Sequence, residues 1–298
     1  MRRSKLVVSV LAVGLMALTG CGSDSLDTGE KKGGDVKTSV DKDAAAMVPA
    51  EIKDKGTLMV GTDATYPPSE FVAGDGKTIQ GFDVDLLKAV AQKLDLKVKL
   101  IPSAFDSIIT GVDGGKYDMG MSSFSINPER LQQATMVSYY RAGTQWASAP
   151  GNPKKVDPQK PCGATVAVQK ATIQQETDLP PKIAACKKAG TPMRDPLIYD
   201  GQDTATAAVV SGKADAMLAD SPVVAYAVEQ SKGKLEPVGD IYDSAPYGYV
   251  LPKNGKAMGK AIVAALESLK SDGGYEKALK GWGVESGAID DFAVNPQP

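Results

Sequence analysis

Gly115-Lys116-Tyr117-Asp118-Met119-Gly120-Met121 is echoed by Gly212-Lys213-Ala214-Asp215-Ala216-Met217-Leu218. Each copy follows a short helical pattern, residues 105–112 and 204–210, and leads into a strand pattern. Each also trails a Gly-led strand pattern: Asp118 stands 62 residues after Gly56, and Asp215 stands 52 after Gly163. A repeat with matched surroundings predicts two similar α/β lobes. Two strand-like links, 141–149 and 245–251, join them, and the C-terminal helices after Asn254 return to the first lobe. Two crossings between two lobes make a hinge, and hinge closure around a ligand is the motion to expect. The expected organisation is lobe 1 at 50–145, lobe 2 at 146–246, and a return to lobe 1 with a C-terminal tail at 247–298.

Around the repeat, short β-rich runs alternate with helical patterns. Thr57–Thr62 and Val98–Pro102 read as strands, and Glu70–Gln80 as a hairpin around Gly74-Asp75-Gly76. After Asp83, the residues Leu86, Leu87, Val90, Ala91 and Leu94 fall at helical spacing. Such alternation implies, in each lobe, a doubly wound sheet with helices on both faces. Open sheets of this kind take ligands at the carboxyl ends of their strands. Asp83 and Asp85 suit the first turn of their helix, where the dipole favours acids; a catalytic carboxylate pair is the lesser reading.

The chain has 298 residues, with 34 basic and 36 acidic side chains, three cysteines and no histidine. That balance argues against nucleic acid, whose phosphates call for a basic excess. Without histidine there is no Ser-His-Asp or Cys-His catalysis, no His-bearing zinc site, and no imidazole base near neutral pH. Gly76-Lys77-Thr78 is not a phosphate loop, because Phe71 stands where the first Gly belongs and the segment lies in a hairpin. Ser231 and Lys234 have S-x-x-K spacing without the companion S-D-N or K-T-G segments. No cofactor or metal is expected.

Arg2, Arg3 and Lys5 precede a 13-residue apolar run, Leu6–Leu18, too short to span a bilayer and of signal-peptide length. It ends in Leu18-Thr19-Gly20-Cys21, which resembles the bacterial lipobox. Residues 1–20 therefore read as a lipoprotein signal peptide and Cys21 as the lipidated first residue. Without the leader the chain keeps 31 basic and 36 acidic residues, a net charge of −5. Residues 21–49 are polar and nearly lack large apolar side chains, so they read as a flexible tether spanning roughly 29 Å. Cys162 and Cys186, an even pair in an exported chain, are expected to form a disulfide.

Three further segments are Gly61-Thr62-Asp63-Ala64-Thr65-Tyr66-Pro67-Pro68, Gly81-Phe82-Asp83-Val84-Asp85-Leu86, and Ser122-Ser123-Phe124-Ser125-Ile126 with Arg130. They resemble the polar amino-acid-binding proteins of ABC importers, the bacterial solute-binding protein family 3, over about residues 50–285. The resemblance implies a two-lobed periplasmic-binding-protein-like fold of type II. It also implies an extracytoplasmic, lipid-anchored monomer that binds a free amino acid and passes it to permease subunits driven by an ATPase. In that family Arg and Ser/Thr groups hold the ligand's α-carboxylate, which places those roles on Arg130, Ser123, Ser125 and Thr172, with backbone contact from Ile173. An Arg fork fits a carboxylate, and Thr172-Ile173-Gln174-Gln175 reads as a capping box that offers N–H groups to an anion. The α-ammonium falls to Asp220 and the Ser122 carbonyl; a helix N-cap ahead of Ser221-Pro222 is the alternative role for Asp220. Tyr66 and Phe105 match the pair that sandwiches the ligand side chain, and Asp63 would face its far end.

With Asp63, Asp220 and Arg130 ionised, the site carries −1. A basic amino acid neutralises it, whereas an acidic one leaves buried excess charge that costs several kcal/mol. A cation between Tyr66 and Phe105 gains about 0.5–2 kcal/mol more. Lys, Arg, ornithine and His are therefore expected ahead of Gln, with acidic ligands last. With no imidazole, affinity is expected to vary little between about pH 6 and 8. The chain departs from the family at Ser69, where Phe usually follows the prolines, at the short Met136–Tyr140 stretch, and at Ile173, which replaces Thr or Ser. Gln145 and Trp146, in the first crossing, are expected near the cleft. Two other readings share the fold: a cyclohexadienyl dehydratase-like enzyme with Glu176 or Glu70 as its general acid, and a ligand-sensing receptor.

Overall fold

A computed structural model describes residue 33 and residues 36–297; the leader and Cys21 lie outside the described residues. The first lobe begins with α1 (Lys42–Ala46), α2 (Ala50–Lys55) and β1 (Thr57–Thr62). A small antiparallel leaf follows, of β2 (Thr65–Tyr66), β3 (Glu70–Val72) and β4 (Ile79–Gln80). Then come α3 (Phe82–Lys93), β5 (Lys97–Pro102), α4 (Phe105–Asp113), β6 (Met119–Ser125) and α5 (Pro128–Gln133). Strand β7 (Thr135–Ser148) crosses to the second lobe, made of β8 (Val166–Gln169), α6 (Leu179–Lys188), β9 (Leu197–Tyr199), α7 (Gln202–Val210), β10 (Ala216–Asp220) and α8 (Ser221–Gln230). Strand β11 (Glu236–Leu251) crosses back to α9 (Lys256–Ser271) and α10 (Gly274–Lys280).

The repeat that predicts two lobes has a physical basis. Gly115 and Gly212 have φ of 71° and 74°, the left-handed turn that glycine adopts without a Cβ penalty as a helix ends. The two aspartates then play one part twice. Asp118 Oδ2 accepts the Met59 N–H at 2.9 Å, and Asp215 Oδ2 accepts the Thr165 N–H at 2.8 Å. Each aspartate also donates its own N–H to the carbonyl of that same residue, at 2.8 Å in both lobes. The carboxylate thus fastens the entry of β6 to β1, and that of β10 to the start of β8.

In the main sheet the order is β5-β1-β6-β11-β7-β10-β8-β9. β1 lies parallel to β5 and β6, and β8 parallel to β9 and β10. The two separate sheets expected from the sequence are joined into one ladder. The join arises because β7 and β11 pair antiparallel from Thr135↔Leu251 to Glu236↔Ser148, longer than the links read from residues 141–149 and 245–251. Register breaks in β11 between Val238 and Tyr242, Tyr242 and Ala245, and Tyr247 and Gly248. Asp243 there is left-handed, with φ of 49°. Breaks of this kind bend a ribbon locally and leave each lobe's own pairing intact. Each lobe has its own core, with Leu86, Leu87 and Val90 of α3 packing with Ile262 and Leu266 of α9 and Val166, Val168 and Leu218 packing around Trp146. Tyr226 of α8 packs into the first lobe's core and Tyr66 of β2 into the second's. Cys162 and Cys186 are bonded, a loop closure that contributes about 3 kcal/mol in the chain-entropy account.

The tether is shorter than its composition suggests. Val36, Ala44 and Val48 are buried, Asp41 caps α1 by accepting the Asp43 and Ala44 N–H groups, and its own N–H reaches the Lys93 carbonyl at 2.9 Å. Thr38 Oγ1 donates to Asp272 at 3.0 Å. Residues 36–49 therefore belong to lobe 1, correcting the expected boundary. A strap laid on an existing helical surface needs only a few apolar contacts if its polar groups find partners, and an average over composition misses these. A chain starting at Ala50 should melt at least ~5 °C below one starting at Gly33, since each buried valine contributes about 1.5–3 kcal/mol. Thermal unfolding of the two forms checks this, and equal melting temperatures would contradict the packing.

Candidate ligand-binding cleft

The carboxyl ends of β1, β6, β8 and β10 meet between the lobes, and the residues singled out from sequence gather there. Tyr66, Phe105, Ser122, Ser123, Ser125, Arg130, Thr172, Ile173 and Asp220 line one narrow cleft, together with Gln174. Of the residues expected to contact the ligand, Asp63 alone lies outside that lining.

Arg130 is set by α5, whose N-cap Asn127 accepts the Arg130 N–H at 2.8 Å. Its guanidinium is buried over the stacked rings of Phe105 and Phe124, 5.5 and 5.3 Å from their centroids. It donates to the Ser125 carbonyl at 2.9 Å and, from the other lobe, to the Ala171 carbonyl at 3.1 Å. Burial lowers its pKa, which Glu176 and Asp220 oppose, but a guanidinium stays charged. Of its five N–H donors, the fork keeps some for a carboxylate.

Asp220 occupies the N-cap position of α8, yet its side chain makes no cap bond. Oδ1 accepts Gln174 Nε2 at 2.8 Å and Oδ2 accepts the Tyr247 hydroxyl at 2.7 Å. Tyr66 Oη accepts the Asp220 N–H at 3.3 Å across the cleft. The carboxylate is thus a cleft group rather than a cap. Burial raises its pKa, and bonds from Tyr247, Gln174 and Tyr66 work against that rise.

The hydroxyls of the lining are largely committed to the scaffold. Ser122 Oγ donates to Glu70 Oε1 and accepts the Asp63 N–H, both at 3.0 Å. Ser123, held in the left-handed region with φ of 51°, donates to Asp83 Oδ2 at 3.2 Å. Thr172 Oγ1 donates to the Gln169 carbonyl at 2.8 Å and accepts the Gln175 N–H at 3.3 Å, while Gln175 Oε1 accepts the Ala171 N–H at 3.0 Å. The expected capping box forms with its return bond one residue early, and the turn it starts is π-helical over Gln174–Asp178.

Asp63 and Gln169 meet from opposite lobes, with Nε2 donating to Oδ2 at 2.6 Å. Burial pushes the Asp63 carboxyl up to about 6, against hydrogen bonds from Thr65 and Gln169. A carboxyl raised to about 6 adds a pH dependence below the pH 6–8 range in which little variation is expected. Gln169 Nε2 also donates to the Asp200 carbonyl at 3.0 Å, and its buried Oε1 has no hydrogen-bond partner among the described residues. Gln169 and Gln174 escaped the sequence reading. Their positions, Gln169 closing β8 and Gln174 opening the turn that follows it, at a strand that ends at the cleft, are the signal that points to them.

Two expectations fail. Trp146 is fully buried in the second lobe, its Nε1 donating to Tyr242 Oη at 2.8 Å, and Gln145 lines a separate hollow beside the hinge. Strand alternation in β7 turns the indole into the lobe core. Of the two candidate acids, Glu176 is exposed at the outer mouth near Arg130, and Glu70 is buried behind Ser122.

A family model described as bacterial extracellular solute-binding proteins, family 3, matches residues 58–285. The arginine-binding protein ArgT of Corynebacterium glutamicum is 38% identical over 253 residues, covering 85% of this chain and 83% of that protein. Among solved structures, an ancestral arginine-binding protein bound to arginine aligns with a TM-score of 0.69 and 33% identity, over 76% of this chain and 98% of that one. An ancestral amino acid-binding protein, AncCDT-1, a precursor of cyclohexadienyl dehydratase, aligns with a TM-score of 0.67 and 33% identity, over 78% and 97%. The match runs from β1 to just past α10 and so takes in both lobes and the cleft. The chain belongs to family 3 of the bacterial extracellular solute-binding proteins.

Proposed function

We propose that this chain is the amino-acid-binding component of an ABC importer and that its ligand is a basic amino acid, arginine first. The observation that carries the choice is the buried Asp63–Gln169 pair, which sets one carboxylate and one unpartnered carbonyl oxygen beside the cleft. These are acceptors for a guanidinium or ammonium. With Arg130 and Asp220 the site carries −1, the complement of a cationic amino acid. The similarity to ArgT supports the same ligand.

In this reading Arg130 takes the α-carboxylate with backbone N–H groups of Ser125 and Thr172, because the Ser123 and Thr172 hydroxyl protons are already given to Asp83 and Gln169. Asp220 and the Ser122 carbonyl take the ammonium. Tyr66 and Phe105 flank the side chain. The first lobe supplies Arg130, Tyr66 and Phe105, and the second supplies Asp220, Thr172 and Gln169, so only converged lobes hold the whole ligand. Binding then shifts an open–closed equilibrium toward the form that docks on the permease. No bond is made or broken, and turnover of arogenate or prephenate by the purified protein would overturn that. We further propose cleavage of residues 1–20, lipidation of Cys21 and a monomeric state; mass spectrometry of the mature N-terminus tests the first two. Among the described residues no helix is long and apolar enough to cross a membrane.

Arg130→Ala should weaken arginine binding about 100-fold, the scale of two charge-assisted hydrogen bonds. Asp63→Asn should cost arginine about tenfold or more while changing glutamine little, because only the cation needs the carboxylate charge. Calorimetry on both variants separates the two ends of the ligand, and an equal loss for both amino acids in Asp63→Asn would contradict the assignment.

The pH response has a defined sign. Asp63 titrates at about 6 in this structure, and a bound cation favours its ionised form. Arginine affinity should therefore hold above about pH 6 and fall below it, approaching tenfold per pH unit. Asp63→Asn should flatten the profile; a wild-type profile already flat to pH 5 would place the carboxyl elsewhere.

A further inference from the structure

Behind the cleft lie two carboxyls that line none of it. Glu70, on β3, and Asp83, in the first turn of α3, are both fully buried. Glu70 Oε1 accepts the Ser122 hydroxyl at 3.0 Å, and Asp83 Oδ2 accepts the Ser123 hydroxyl at 3.2 Å and the Tyr139 hydroxyl at 2.5 Å. Among the described residues the remaining oxygens, Glu70 Oε2 and Asp83 Oδ1, have no hydrogen-bond partner. The two buried carboxyls hang on adjacent serines and the charge of Asp83 raises the pKa of Glu70; like charges buried this close are relieved when one of the two keeps a proton.

The backbone fixes this juxtaposition. Phe82 N–H and Asp83 N–H donate to the Pro68 and Ser69 carbonyls at 3.0 and 3.1 Å, laying the start of α3 against the entry to β3. Gly81 makes that approach possible: at its φ of 141°, a Cβ would stand 1.9 Å from the Ser69 oxygen.

The surroundings decide which residue holds the proton. Asp83 has the N-terminal end of a twelve-residue helix and two hydroxyl donors to favour its anion. Glu70 has one hydroxyl donor. Titratable groups that act on the pair include Asp63, Tyr66, Tyr139, Tyr140, Tyr249 and Tyr275. Burial, followed by the Asp83 charge, drives Glu70 well above the usual carboxylate range. Burial takes Asp83 only to about 6, with Tyr139, Glu70 and Ser123 holding it down.

We propose that Glu70 and Asp83 form a positioning pair sharing one proton, in which neutral Glu70 donates to the Asp83 carboxylate and the two anchor Ser122 and Ser123 at the edge of the cleft. The link to affinity rests on the ligand-binding reading of that cleft. The proton itself does not. Because the folded pKa of Glu70 is raised, the stability it contributes is full at acid pH and is lost as pH rises toward that value.

The test combines infrared spectroscopy with Glu70→Gln, which offers the same donor and acceptor without a proton to lose, and Glu70→Ala, which offers neither. At about pH 7.5, where an ordinary glutamate is ionised, the wild type should show the carbonyl band of a neutral carboxylic acid, and Glu70→Gln should lack it. The melting temperature of Glu70→Gln should decline less on the alkaline side than that of the wild type. Glu70→Ala should weaken arginine binding about tenfold, and Glu70→Gln should restore most of it. Absence of the neutral-acid band, or an unchanged alkaline slope in Glu70→Gln, would overturn the proposal. If the protein binds no amino acid at all, the cleft reading fails while the band and the slope still report on the pair.

Discussion

The antiparallel pairing of β7 with β11 is the constraint on which the molecule is built. Each strand belongs to both lobes, so neither lobe can complete its sheet without the other, and the sheet is continuous through the crossing. Register breaks near Tyr242 and Ala245 leave that ribbon irregular where it passes between the two cores. A ribbon that is strong at its ends and irregular at its middle permits a change in lobe orientation without loss of pairing in either lobe. The cleft lies beside this ribbon, and it is assembled from strand ends that the two lobes present to each other.

What the lobes present is charge set in a largely dry place. Arg130 is held by carbonyls from both lobes, Asp220 by Gln174 and Tyr247, and Asp63 by Gln169. Buried charges persist only when paired or hydrogen-bonded, and each of these has polar partners that fix its orientation. The ligand proposed for the cleft matches the sum of these charges. The neutral acid proposed for Glu70 is the other face of the same rule: of two carboxyls buried together, one keeps its proton.

Much of this was legible because it is local. The paired segments at Gly115 and Gly212 encode a left-handed turn and an aspartate that grips the neighbouring strand, and both signals lie within a few residues. The resemblance to the binding-protein family assigns Ser122, Ser123, Ser125, Thr172 and Asp220 to one site, and the structure brings them together at strand ends. The features that escaped depend on partners far away in sequence. The union of the sheets needs the full length of β7 against β11, and the packing of Val36 and Val48 needs the surface of lobe 1. The choice of face for Trp146 is set by the second-lobe core. The upward shift of Asp63 comes from burial contributed by both lobes, so a histidine count alone could not foresee titration near pH 6.

The central claim is that the cleft closes on a cationic amino acid. Calorimetric titration of the purified protein near neutral pH with arginine, lysine, glutamine and glutamate tests it most directly. Arginine or another basic amino acid should bind most tightly, glutamine more weakly, and glutamate without measurable heat. Tight binding of glutamate with none of arginine or lysine would contradict the account.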